Sequence, residues 1–338
     1  MTSVRVPLAL AAACAVLAGL VVVALSLGRF PVSVGDLLGV LWAKLAGTEH
    51  GLDPVIETVV LKVRGPRIAG AILIGAALAA AGAAYQNMFR NPLVSPDILG
   101  VSAGAAVGAV LGIFLSLNVI MIQSLAFAFG LGAVGLVYVT ANAVRGHDPL
   151  LVLVLAGVVV GSLLGACVAL MKYLADPYNQ LPAITFWLLG SLASATPADV
   201  WSTLPLMLVG LIPMWLLRWR INLLSLDDEE ARALGVETGR IRLIVIAAAT
   251  LMTSSAVAIS GVIGWIGLVI PHFARMLVGP DFSRLLPTSI LLGAGFLLAV
   301  DTLARTVARI EIPLGVLTAF VGTPLFLWQL ATARRGWQ

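Results

Sequence analysis

Long runs without a charged residue recur along the chain, at 6–27, 68–84, 98–144, 150–171, 243–268 and 285–300. A helix of roughly 20 apolar residues spans a bilayer, so several of these runs hold one span and some hold two. The short alternating segments of a membrane β-barrel do not occur. Punctuation by charge, Pro and Gly predicts ten spans, at 6–27, 65–86, 99–117, 119–143, 150–172, 198–217, 241–260, 262–279, 285–307 and 313–332. The expected fold class is therefore all-α, a polytopic membrane protein forming one domain over 1–338. An outer, periplasmic segment lies over 28–64 and a charged cytoplasmic loop over 223–240. The first run follows Arg5 like a signal peptide, but it is longer than a usual h-region and no small-residue site closes it. It reads as a retained first span.

Composition points the same way. Of 338 residues, 60% are apolar and 11% are charged, whereas a soluble domain carries about 25% charge. An even number of spans puts both termini on one side. With both termini in the cytoplasm of a cell whose inner membrane holds the chain, twelve Lys and Arg residues face the cytoplasm and eight face outward. That bias has the sign of the positive-inside rule. Gly100, Gly104 and Gly108, and again Gly157, Gly161 and Gly165, recur every four residues. Such spacing lets a neighbouring backbone approach closely, within one subunit or across a dimer seam. Cys14 and Cys167 fall in apolar helices and read as packing residues.

Candidate chemistry is sparse. His50, His147 and His272 lack metal-ligand spacing, and no metal site is expected. A phosphate-binding loop needs Gly-Lys-Ser/Thr, but Lys44, Lys62 and Lys172 are followed by Leu, Val and Tyr. The chain binds no cofactor by that route; if ATP drives it, ATP and Mg act through a partner subunit. At membrane depth Asp301 and Arg305 stand four apart and can neutralise each other. No series of isolated acids suggests proton or sodium coupling, though an ion-coupled secondary transporter is the competing class. In the segment 223–242, Asp227, Asp228, Glu229 and Glu230 suit a helix N-terminus, and Gly235 suits its C-terminus. The segment is either a solvated loop or a short helix presented to a cytoplasmic partner.

The core Glu230-Ala231-Arg232-x-Leu234-Gly235 resembles the coupling segment of FecCD-type permeases. These are membrane subunits of type II ATP-binding-cassette importers for iron–siderophores, haem and vitamin B12. Arg64-Gly65-Pro66-Arg67, Gln86-x-x-Phe89-Arg90-Asn91-Pro92-Leu93, Ile263-Gly264-x-Ile266-Gly267 through Pro271-His272, Asp301-x-x-Ala304-Arg305 and Glu311-Ile312-Pro313-Leu314-Gly315 agree with it in order. The resemblance implies ten helices per subunit, a homodimer, two ATP-binding subunits and an outer substrate-binding protein; membrane lipid, and no nucleic acid, completes the partners. It implies docking of the binding protein at Arg64, Arg67 and Arg305. It implies coupling to the ATPase through Asp227, Asp228, Glu229, Glu230, Ala231, Arg232, Leu234 and Gly235. An inner gate falls at Asn91, Leu93, Leu150 and Leu151; the last two depart from the small polar residues expected of a vitamin B12 permease. The implied cargo is a ferric siderophore first and haem next, then a corrinoid or a molybdate-type oxyanion. Tyr173 and Tyr178, in the connection after the fifth span, can stack on an aromatic chelate or serve as ordinary interface tyrosines.

Overall fold

The structure, a computed structural model, describes residues 5–28, 30–48, 51–144 and 148–332. Arg29, Arg145, Arg334 and Arg335, counted in the charge balance, and His50 and His147 lie outside the described residues. Helix α1 (Arg5–Ser26) leads to α2 (Val34–Ala46). Next, α3 (Pro54–Glu57) runs through a π-helical stretch, Thr58–Arg64, into α4 (Gly65–Met88) without a break. A 3-10 turn, Pro96–Leu99, precedes α5 (Val101–Phe114), α6 (Val119–Ala143), α7 (Pro149–Leu174) and α8 (Gln180–Leu189). The chain continues through α9 (Pro197–Leu216), α10 (Arg218–Leu223), α11 (Asp228–Ala233), α12 (Thr238–Ser260), α13 (Ile266–Val278), α14 (Phe282–Thr306) and α15 (Leu314–Thr332).

All ten predicted spans coincide with helices, and seven helical segments are long and apolar enough to cross a membrane. Helices α5 and α13 are shorter, with 14 and 13 residues. The two breaks inside long apolar runs are fixed by backbone rather than polarity. After α12, Gly261 (φ 67°) turns the chain, and Trp265 (φ 72°) starts α13. Between α5 and α6, Ser116 takes φ 54°, and the Asn118 side chain accepts the Met121 N–H at 3.0 Å as an N-cap. Helix α8 was not predicted: its ten residues are apolar, but too few to register as a span.

Helix α4 is the axis of the bundle and is buried along nearly its whole length against α9, α12, α13 and α14. Its run of Ala and Gly makes that possible. Gly75 crosses Gly293 of α14, and Gly82 crosses Gly267 of α13, so closely that a β-carbon at any of the four would strike backbone or a packed side chain. The four-residue glycine spacing is used in part. Gly104 and Gly108 pack on the α6 backbone near Phe129 and Leu125, while Gly100 caps α5 with φ 79° instead of lining its face. A β-carbon at Gly157 would meet the Ile98 carbonyl, but one at Gly161 or Gly165 would meet no atom within 4 Å. Helices α1, α6, α7 and α9 form an outer layer whose side chains are mostly exposed. Cys14 and Cys167 lie on those outer faces, not in packed positions, because α1 and α7 each turn only one side to the core.

Candidate functional site: the two charged ends of the bundle

At one end, three arginines expected to face outward are drawn inside. Arg64 closes the π-helical stretch before α4 and is 4% exposed. Its guanidinium donates to the carbonyls of Leu25, Ser26 and Phe30. Arg305, in the last turn of α14, donates to the carbonyls of Ala24 and Leu27. The last carbonyls of a helix have no partner within it and carry its negative dipole end. Two guanidiniums thus close the C-terminus of α1 and fasten it to α4 and α14.

Arg67, one turn further into α4, donates through Nε to Asp301 Oδ1 and Oδ2 at 2.9 and 3.0 Å. It also donates through Nη1 to Glu311 Oε2 at 3.1 Å. The forked guanidinium therefore holds two carboxylates side by side, the geometry that favours Arg over Lys. Asp301 is fully buried. Its sequence neighbour Arg305 approaches with Nε 3.8 Å from Oδ2, so the closer partner is Arg67, not the residue one turn away. Three guanidiniums against two carboxylates leave one positive charge around a cavity of about 270 Å³ lined by Gly28, Phe30, Val63, the three arginines and Glu311.

At the opposite end, α11 begins as expected: Asp227 precedes it, Asp228, Glu229 and Glu230 form its first turn, and Gly235 (φ 80°) follows it. Ala231 is fully buried and anchors the helix, while Glu229, Glu230, Arg232 and Leu234 point outward. Two tethers are not legible locally. Arg90, itself at φ 52°, ion-pairs with Asp227. Arg242 of α12 takes both oxygens of Asp228, at 2.9 Å through Nη1 and 2.5 Å through Nη2.

Asn91 and Leu93 lie in the turn after α4, next to Arg90, with the Asn91 side chain accepting the Leu93 N–H at 2.9 Å. Leu150 and Leu151 lie in the first turn of α7, capped by Asp148. The contact of Gly157 with Ile98 brings the start of α7 to the same end. Sequence reasoning quoted Gln86 only as part of a motif and passed over Asn87; both are polar residues buried in the last turn of α4. The Asn87 amide donates to the Ile221 carbonyl of α10 at 2.7 Å, and Gln86 to Leu268 at 3.0 Å. Two adjacent polar side chains just past the apolar run 68–84, still inside or beside the predicted span, were the available signal. Tyr173 and Tyr178 are 85% and 86% exposed. Among the described residues, no group of three His, Cys, Asp or Glu side chains converges.

The profile of the FecCD transport family matches residues 16–332. The chain is 41% identical over 320 residues to the molybdate import system permease MolB of Haemophilus influenzae, covering 93% of each. It is 41% identical over 283 residues to the hemin transport permease HmuU of Yersinia pestis, covering 81% of this chain and 83% of that one. Its fold superposes on a solved inward-facing transporter of metal-chelate type with a TM-score of 0.87 and 38% identity, covering 96% of this chain and 99% of that one. Helices, buried axis and two charged ends therefore belong together: the chain is a member of the FecCD transport family, a multi-span membrane permease of the ATP-binding-cassette importer kind.

Proposed function

We propose that the chain is the permease half of a homodimeric importer for an iron chelate, a ferric siderophore before haem. The observation that carries the chelate reading is the full-length match to an inward-facing metal-chelate transporter, supported by the haem permease relative. In this reading both termini and α11 face the cytoplasm. Two ATPase subunits, holding ATP and Mg, press on Asp227–Gly235, and the tethers through Arg90 and Arg242 pass that push to the ends of α4 and α12. Asn91, Leu93, Leu150 and Leu151 form the inner gate, an apolar constriction that closes by excluding water. At the outer end, the net positive charge around Arg64, Arg67 and Arg305 attracts an acidic substrate-binding protein, giving orientation and rate of encounter more than affinity.

A second cargo is favoured by a specific observation, the 93% coverage of the molybdate permease at 41% identity. Reconstitution with cognate ATPase and binding protein, followed by uptake of ferric siderophore, haem, corrinoid and molybdate in turn, separates these readings. ATP-dependent accumulation of the ferric siderophore is expected. Uptake of molybdate alone replaces the cargo and keeps the importer. Uptake by the lone chain along a proton or sodium gradient, without ATP, overturns the mechanism.

A further inference from the structure

The connection between the first two spans contains a helix that is apolar on two sides. One side of α2 is buried at Leu37, Val40 and Ala43; Leu37 and Val40 pack in a small core with Val32 and Val60 and with partly buried Leu25, Ile56 and Val59. On another side Val34, Leu38, Leu41, Trp42 and Leu45 are exposed, Trp42 by 71% and Leu45 by 84%. At 3.6 residues per turn these five fall within an arc of about 100°. That is the width of a buried stripe, yet none of the described residues covers it.

Its depth follows from its attachments. The 22 residues of α1 rise about 33 Å, close to the ~30 Å hydrocarbon core, so Ser26 stands near the boundary between acyl chains and headgroups. The Val32 N–H donates to the Ser26 carbonyl at 3.2 Å, and Arg64 holds the carbonyls of Ser26 and Phe30. The start of α2 is thereby fixed at the level where α1 ends. Exposed apolar residues also follow one another along the chain from span to helix: Val22 and Val23 in α1, then Leu27 and Phe30, then Val34 and Leu38. The first of these lie on a helix that turns most of its surface to lipid.

We propose that α2 is an interfacial helix, lying in the headgroup–acyl boundary of the bilayer face that carries Arg64, with Val34, Leu38, Leu41, Trp42 and Leu45 in lipid. A tryptophan and a neighbouring lysine, Lys44, are the side chains such a depth favours, one ring at the boundary and one ammonium among phosphates. The proposal rests on the spanning character of α1 and not on the cargo or the partners. Its consequence is that the outer ends of α1 and α4 are held from the lipid side as well as by Arg64.

The test uses the full chain, with Cys14→Ala and Cys167→Ala, in phosphatidylethanolamine–phosphatidylglycerol vesicles. Single cysteines at Leu38→Cys, Leu45→Cys and Thr48→Cys carry an environment-sensitive fluorophore. Lipid bearing a nitroxide near its ester groups should quench the label at 38 and 45. Aqueous iodide should quench there at least about threefold less than at 48, as burial at the boundary requires. Iodide quenching equal to that at 48 overturns the proposal, and so does shielding from both quenchers, which marks a protein cover such as a second copy. If a labelled variant is lost on purification, the difference in emission between the unlabelled chain and Trp42→Phe reports the same quenching by nitroxide lipid or by iodide.

Discussion

The guanidinium of Arg67, in the first turn of α4, meets the fully buried carboxylate of Asp301 through both Nε and Nη2, at 2.9 and 2.8 Å, across 234 positions of sequence. Glu311 completes the site from the connection before α15. The residues that join α4 to α14 by charge thus sit one end away from the glycines Gly75 and Gly293 that join them by close packing.

Breaking this pair on one side should be costly. Removing one partner of a buried ion pair costs about 3–5 kcal/mol, because the other charge stays buried without compensation. Asp301→Ala is expected to lower the thermal unfolding midpoint in detergent more than Glu311→Gln, since Glu311 is partly exposed. The double variant Arg67→Met/Asp301→Leu should recover much of the loss. Equal midpoints for all three would remove the pair from any structural role.

The C-terminus of α1 gives a second expectation. Arg64→Ala removes the guanidinium donor from the carbonyls of Leu25 and Phe30, at about 1–3 kcal/mol for each that remains buried, while the Ser26 carbonyl keeps the Val32 N–H. Protease should then cut near 26–32 faster than in the unaltered chain, with the span itself intact. Unchanged cleavage would show that the arginine contributes little there.

Glycines that look alike by spacing should behave differently. Gly82→Ala places a methyl against the Gly267 carbonyl and is expected to cost at least about 1–3 kcal/mol as overpacking, read as loss of folded protein on size exclusion. Gly161→Ala and Gly165→Ala meet nothing within 4 Å and should fold normally. A normal yield of Gly82→Ala would contradict the close crossing.

Arg232 lies on the outward side of α11, with Ala231 holding the helix beneath it. Under the importer reading, Arg232→Glu should lower ATP-driven uptake about tenfold, equal to 1.4 kcal/mol, while the amount of protein in the membrane stays constant. Arg90→Ala should do the same by releasing Asp227. Uptake unchanged in both would place the ATPase contact elsewhere.

The membrane class, the family, helices at all ten predicted positions (seven of them helical segments long enough to span) and the position of α11 were legible in the sequence. Most of these depend on local quantities, the length of an apolar run, a helix-starting acidic cluster, a stopping glycine, and the family on short motifs that occur in order along the chain. Helix α8 escaped because ten apolar residues fall below the length that signals a span, and Gly100 was misassigned to a helix face because spacing does not report φ. Tertiary structure alone decided how the charges are shared. Spacing joins Asp301 to Arg305, one turn away on the same helix, but an ion pair forms where guanidinium geometry and desolvation are best satisfied, and that partner arrives from α4. The same holds for Arg64, whose partners are main-chain carbonyls at the end of α1 and bear no signature in the side chains there. The open face of α2 is likewise a tertiary fact. No helix was expected within 28–64, and only the burial of Leu37, Val40 and Ala43 shows which side of α2 remains for lipid.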